Sequence, residues 1–344
     1  MRLVFDYGLR LSATIKFASL TDLSLEKMIM FDAGDVQLLP RLLSTETCPH
    51  LQKLRMVGLG FRVPLQEMRL ETDVLSELWL QRVSGVEAWQ LRTPRLQVLH
   101  IDDCSRNGQV FRVSAPRLEK FTFLYYLEGP PRLLELDGDL PRLRSLGICM
   151  WSYFPRIFLP LAEAVNHGSN KLLLKLSNSV TCLDVSLNGR KASEEDVEIL
   201  RSMIPHLPRV TSLTVNVSIP IERHDFGASV AALLTRFSNL RRISLRLPSY
   251  LSLDVVRSEQ GLECHHQSHW ISNEISMTHL QEVEFTGLIG TECELWFMKD
   301  MLASATKIRK VAINFNPKCW QHQSKLTCLN KFFSRMLRLF PVHA

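Results

Sequence analysis

The residues with the most recognisable chemistry lie close together late in the chain: Cys264, His265, His266 and His269. Thiolate and imidazole are preferred zinc ligands, and His265 and His269, four apart, would share one face of a helix. No second ligand pair stands at metal-finger spacing, so the cluster reads as a polar loop rather than a metal site. Cys319, His322 and Cys328 add ligand types without orderly spacing. For nucleophilic catalysis there is no Gly-x-Ser-x-Gly elbow, and no Cys–His pairing is readable. Gly58-x-Gly60 lacks a third glycine and a following acid, so it is no dinucleotide loop, and no Walker sequence exists. Asn216-Val217-Ser218 is a formal glycosylation sequon but sits within a strand pattern. The expectation is a protein without catalytic residues, bound metal or cofactor.

The elements that must position any other site are set by a repeat. An apolar-x-x-apolar-x-apolar hexad recurs eleven times, at steps of 21 to 40 residues. It runs through Leu20-Leu23-Leu25, Leu51-Leu54-Met56, Leu75-Leu78-Leu80, Leu96-Leu99-Ile101, Leu118-Phe121-Phe123 and Leu143-Leu146-Ile148. It continues through Val180-Leu183-Val185, Val210-Leu213-Val215, Leu240-Ile243-Leu245, Leu280-Val283-Phe285 and Ile308-Val311-Ile313. Residues two apart on a strand share a face, so the last two apolar positions enter a core and the residue between them points out. One such unit buries too little alone; neighbours must stack into a continuous core. The pattern predicts an α/β leucine-rich-repeat solenoid, a single domain with a curved parallel sheet inside and mixed extended and helical segments on the convex side.

The connecting segments differ along the chain. Between 68 and 118 they read as extended, with Leu70, Leu91 and Val113 each five residues before the next hexad. Thr93-Pro94-Arg95-Leu96, Ala115-Pro116-Arg117-Leu118 and Leu140-Pro141-Arg142-Leu143 are near copies, and proline there excludes helix just before the strand. Later segments carry helical spacing. Ser193-x-x-Asp196 resembles a capping box ahead of Val197, Leu200, Met203 or Ile204, and Leu207. Val230, Leu233, Leu234 and Phe237 form a second stripe, and Leu295, Met298 and Leu302 a third, opened by Thr291-x-x-Glu294. Leu172, Leu174 and Leu176 alternate and predict an extra strand. The 240–280 gap predicts a loop insertion at about 249–277.

These residues carry a family resemblance. Cys48-Pro49-His50-Leu51-Gln52-Lys53-Leu54-Arg55-Met56 and Thr93-Pro94-Arg95-Leu96-Gln97-Val98-Leu99 resemble the repeats of plant F-box/leucine-rich-repeat proteins. His279-Leu280-Gln281-Glu282-Val283-Glu284-Phe285-Thr286-Gly287, running on through Gly290-Thr291-Glu292, Met301-Leu302-Ala303-Ser304-Ala305 and Ile308–Ile313, resembles the FBD module that closes many of them. The resemblance implies repeats over 20–277, an FBD-like unit at 278–316 and a capping segment at 317–344. Within that segment Phe332, Met336 and Leu339 form an amphipathic stripe suited to covering the last repeat. Residues 1–19 read as a truncated first repeat without a recognisable F-box, so binding to a Skp adaptor is not expected, and an uncapped first strand would favour self-association. What the resemblance implies is substrate recognition in ubiquitin-dependent turnover, by a module lacking its recruiter.

The candidate surface is the row of central hexad positions. It reads Ser24, Arg55, Trp79, His100, Thr122, Gly147, Asp184, Thr214, Ser244, Glu284 and Ala312. Trp79, with Arg55, Gln81, His100, Asp102 and Lys120 around it, resembles an interface hot spot; the other reading is that a neighbouring loop covers the indole. Arg242 and Arg246 read as part of a solvated face. Lys and Arg total 41 against 35 Asp and Glu, a surplus of +6 without clustering, which argues against a nucleic-acid binder. No apolar run approaches the roughly 20 residues of a membrane span, and the eight scattered cysteines suit buried thiols in a reducing compartment. A cytoplasmic or nuclear protein-recognition module is expected. A leucine-rich-repeat small-molecule sensor, or a plain scaffold outside the ubiquitin system, is the alternative.

Overall fold

The structure is a computed structural model that describes residues 2–4, 16–31, 39–104, 109–125, 131–151, 159–188, 194–218, 226–247, 277–289, 292–317 and 334. The chain divides into two compact units, Met1–Ile148 and Cys149–Ala344. The predicted loop insertion, the Cys264–His269 cluster, the Cys319–Cys328 group and the expected capping helix over 331–340 lie outside the described residues.

Among the described residues twelve strands begin in the first unit. They are β1 (Arg2–Val4), β2 (Asp22–Glu26), β3 (Ile29–Met30), β4 (Lys53–Val57), β5 (Gly60–Glu71) and β6 (Glu77–Gln81), followed by β7 (Ser84–Arg92), β8 (Val98–Asp102), β9 (Val110–Ser114), β10 (Lys120–Leu124), β11 (Leu133–Leu136) and β12 (Ser145–Trp151). The hexad strands form one parallel sheet ordered β1-β2-β4-β6-β8-β10-β12. Each hexad aligns with the next without slippage, as in Leu54↔Leu78, Leu78↔Leu99 and Leu99↔Phe121. Leu78, Leu80, Leu99 and Phe121 are completely buried.

The extended outer segments are more regular than expected. They make a second parallel sheet, β11-β9-β7-β5-β3. Leu70, Leu91 and Val113 stand in register across it, and Val113 is followed by Leu136. The two sheets meet in an aromatic core. Trp89 and Phe111 from the outer sheet lie parallel at 6.1 Å, and Phe111 meets Phe123 of the inner sheet edge-on at 5.7 Å.

The turns that join the two sheets require left-handed backbone. The residue after each hexad strand is Lys27 (φ 54°), Gly58 (φ 65°), Arg82 (φ 50°) and Asp103 (φ 51°) in successive repeats. Only one of the four is glycine, so three side chains accept a strain of order 1 kcal/mol. Their N–H groups bond to the next strand: Lys27 to Val57, Gly58 to Gln81, Arg82 to Asp102 and Asp103 to Leu124. The following residues, Met28, Leu59, Val83 and Cys104, are buried. Cys104 closes its turn through sulfur, accepting from the Val83 N–H and donating to the Asp102 carbonyl.

The second unit alternates helix and strand. Its helices are α1 (Leu159–Leu176), α2 (Glu194–Met203), α3 (Phe226–Leu234) and α4 (Glu292–Ala303), and its strands are β13 (Cys182–Asn188), β14 (Ser212–Ser218), β15 (Arg242–Arg246), β16 (Glu282–Leu288) and β17 (Lys310–Phe315). β13 to β17 pair in parallel in chain order. The predicted stripes face the core: Leu200, Ile204, Leu207, Val230, Leu233, Leu234, Phe237, Leu295, Met298 and Leu302 are all buried. Glu294 reaches back from the first turn of α4 to accept from the Ile289 N–H, two residues upstream of the N-cap bond that a capping box would make. In α1, Asn166 bonds both the N–H and the carbonyl of Trp151, and Ser169 donates to the Cys149 carbonyl, tying the helix to the end of β12. In the last hexad Val311 is exposed; among the described residues β17 has a strand neighbour on one side only.

The extra strand predicted over Leu172–Leu176 is a correction: those residues form the last turns of α1. Leu172, Leu173 and Leu176 are buried and Leu174 is 59% exposed, the pattern of a helical stripe rather than of alternation. Substitution separates the two geometries. Leu173→Asp is expected to cost about 4 kcal/mol or more, whereas Leu174→Asp stays within about 0.5 kcal/mol, read by chemical denaturation. Gly85 provides a second check. At φ 85°, a Cβ added there would lie 2.4 Å from the Phe61 carbonyl oxygen, while one on Gly58 would meet nothing closer than 3.9 Å. Gly85→Ala is therefore expected to cost about 2–4 kcal/mol and Gly58→Ala about 1 kcal/mol; equal losses would contradict this packing.

Candidate protein-binding face

The parallel register brings the central hexad positions into rows. In the first unit Ser24, Arg55, Trp79, His100, Thr122 and Gly147 stand side by side on successive strands. In the second unit the row is Asp184, Thr214, Ser244, Glu284 and Ala312. Both rows follow from period-two alternation, because burying the leucines on either side leaves the middle residue on the opposite face.

The six candidate residues fall into two registers. Arg55, Trp79 and His100 share one row. Gln81 and Asp102 share another, two residues along their strands. Lys120 begins β10 opposite Val98, so it flanks His100 diagonally. The indole of Trp79 stacks on the His100 imidazole, with ring centroids 4.3 Å apart and planes 26° from parallel. From the other side the Arg55 guanidinium stands 5.9 Å from the Trp79 ring centre, within cation–π reach. The sequence left open whether a loop covers the indole. Among the described residues its cover comes from neighbouring strands: Trp79 is half-buried between an exposed arginine and a half-buried histidine.

Charge on this face is set by that packing. Burial pushes the His100 imidazole down to about 4, with Lys120 and then Arg55 adding cationic repulsion. His100 is thus a neutral stacking partner at physiological pH, free to use its ring nitrogens for hydrogen bonds. Asp102 is also half-buried, and burial raises its carboxyl above the usual range although Gln81 Nε2 donates to Oδ2 at 3.0 Å. Its other oxygen is buried without a hydrogen-bond partner among the described residues. Beyond His100 the face flattens. A Cβ on Gly147 would come within 2.8 Å of Thr122 Cγ2, so glycine leaves room for that threonine. Both residues are buried, so in this direction the exposed part of the row ends at His100.

The row in the second unit is polar and internally paired. Asn216 donates to Asp184, and Ser244 donates to Glu284 at 3.2 Å. Arg242 lies 3.8 Å from both Glu282 and Glu284. That pairing fits the solvated-face reading of Arg242. Sequence reasoning missed Thr122 with Gly147 and the thiol of Cys104. The small residue at a central hexad position was the available signal for the first; nothing marked the second.

Among the described residues no group of three or more His, Cys, Asp or Glu side chains is placed to hold a metal ion, and no helix is long and apolar enough to cross a membrane. Comparison of the chain with protein-family models, curated proteins and solved structures finds no match.

The depressed His100 value gives a pH test. In the unfolded chain the imidazole takes up its proton near pH 6.5, whereas in the fold it does so near 4. Between those values the unfolded state binds more protons, so the contribution is fully present above about pH 6.5 and is lost as pH falls toward 4. Allowing for solvent screening of a half-buried group, the loss is about 1–2 kcal/mol. His100→Phe keeps a ring against Trp79 and removes the titration. The melting temperature of the wild type is expected to fall more steeply from pH 6.5 to 4 than that of the variant; parallel profiles would contradict the buried, neutral histidine.

Proposed function

We propose that the chain is a non-catalytic protein-recognition module, a leucine-rich-repeat array of the kind that holds substrate in plant F-box proteins of the ubiquitin-ligase system. One observation carries this reading: an aromatic–imidazole–guanidinium stack, Arg55–Trp79–His100, on the sheet face opposite the leucine core. Half-buried tryptophan with arginine at its edge is the residue chemistry that dominates measured interface energetics. The groups around it suit protein contact more than a reaction. His100 is neutral, Asp102 is engaged by Gln81, and Lys120 and Arg55 are exposed at the margin as steering charges. The resemblance of the 279–313 stretch to an FBD module supports the family reading, and the eleven hexads support the repeat reading.

The experiment is quantitative capture of bound protein by the full chain and by an Arg55→Ala/Trp79→Ala/His100→Ala variant, with melting curves as a folding control. A partner retained by the wild type is expected to lose at least about tenfold in affinity for the variant. A partner held equally by both would place recognition elsewhere on the chain.

A further inference from the structure

A second site lies away from the stack, at the turns that lead into the strands of the second unit. A groove of about 540 Å³ opens there, lined by the turns before β13, β14, β15 and β16. Its charged lining is wholly cationic: Arg209 and Arg241, with His279 beside them, and no aspartate or glutamate. The neutral lining adds the hydroxyls of Thr181 and Thr211 and the amide of Asn239.

The backbone of this groove is fixed, and its neutral donors are in use: Asn239 Nδ2 donates to the Pro208 carbonyl at 2.8 Å and Thr211 Oγ1 to the Thr181 carbonyl at 3.4 Å. Backbone bonds hold the turns in series, since the Thr181 carbonyl accepts from Thr211 and Ser212, and the Thr211 carbonyl from Arg241 and Arg242. Arg209 spends one N–H on the Asn178 carbonyl, out of the five a guanidinium owns. The Arg241 side chain has no hydrogen bond or ion pair among the described residues. Its chain neighbour Arg242 points the other way, to Glu282 and Glu284. The ordinary structural use of arginine at this end of a helix-strand unit is to neutralise helix C-terminal carbonyls. Arg236 already does that for α2, donating through Nε to the Arg201 carbonyl at 2.9 Å. Arg209 serves the turn after α1 with one N–H and keeps the others, and Arg241 serves neither helix end, in a groove whose lining among the described residues carries no anion.

We infer that this groove binds a phosphate monoester, with Arg209 and Arg241 as its principal ligands and His279 beside them. Two guanidiniums suit the tetrahedral, multi-oxygen dianion, which accepts paired N–H donors from each. The volume admits a phosphorylated side chain with its flanking residues or a phosphorylated small molecule.

The test uses the full chain. A fluorescein-labelled, glycine-flanked phosphoserine peptide is titrated by anisotropy, beside its unphosphorylated form, and inorganic phosphate and phenyl phosphate are titrated by calorimetry. Saturable binding of a phosphate form is expected, none of the unphosphorylated peptide, and at least about a tenfold loss in Arg241→Gln. That side chain bonds nothing among the described residues, so the variant is expected to keep its melting temperature; Arg209→Lys, which retains one donor for Asn178, is expected to weaken binding as well. Arg242→Gln, on the strand face, is expected to bind as the wild type does. Binding of the peptide alone identifies a phosphoprotein source, and binding of phenyl phosphate or phosphate identifies a small-molecule one. The inference is overturned if no phosphate form binds below about 10 mM, if both peptides bind alike, or if Arg241→Gln binds as well as the wild type.

Discussion

One backbone carbonyl per repeat holds the inner sheet in register, and the rest of the structure depends on it. The carbonyl of the residue just before each strand accepts two consecutive N–H groups from the repeat that follows. Thr21 accepts from Gln52 and Lys53, Gln52 from Ser76 and Glu77, Ser76 from Gln97 and Val98, Gln97 from Glu119 and Lys120, and Glu119 from Arg144 and Ser145. The same arrangement recurs at Thr181, Thr211, Arg241 and Gln281. A forked acceptor allows no slip, because moving the next strand by one residue would strand an N–H and turn every leucine to the wrong face. The insertion lengths between repeats then become free to vary. A 40-residue interval between hexads ends in the same fork as one of 21.

This explains which parts of the structure were legible in the sequence. Each hexad carries its own alternation, and the fork aligns one hexad with the next, so the rows from Ser24 to Gly147 and from Asp184 to Ala312 could be read without knowing the connections. The connections were harder. In Leu172-Leu173-Leu174-Lys175-Leu176 a two-residue period and a helical period are both satisfied over so few positions. The decision lay upstream, where Ala162, Val165 and Ser169 extend the buried stripe at steps of three and four. The outer sheet of the first unit was read only as extended chain. Its pairing depends on left-handed turns at Lys27, Arg82 and Asp103, where the residue types give no glycine signal.

The candidate site was legible as a list and not as a geometry. Alternation placed Trp79 and His100 on one face, but the 4.3 Å stack depends on side-chain torsions that no spacing rule fixes. Its electrostatic consequence was equally hidden. Sequence lists His100 beside Arg55 and Lys120 without its protonation state, whereas burial, with those two cations adding to it, pushes the imidazole down to about 4 and keeps it neutral.

The two rows also differ in what they leave for a partner. In the second unit the inner polar groups satisfy one another: Asp184 with Asn216, Glu284 with Ser244 and Arg242. A ligand there would have to displace protein–protein hydrogen bonds to gain its own, and the net return of such an exchange is small. In the first unit the opposite holds. Arg55 makes a cation–π contact whose energy at an exposed site is only about 0.5–1 kcal/mol, and it is free to reach outward. Trp79 and His100 are half-buried and keep part of their rings open, whereas Thr122 and Gly147 further along the row are buried. Half-desolvated aromatic surface beside an exposed guanidinium is thus found on β4, β6 and β8, where the proposed recognition would draw its energy.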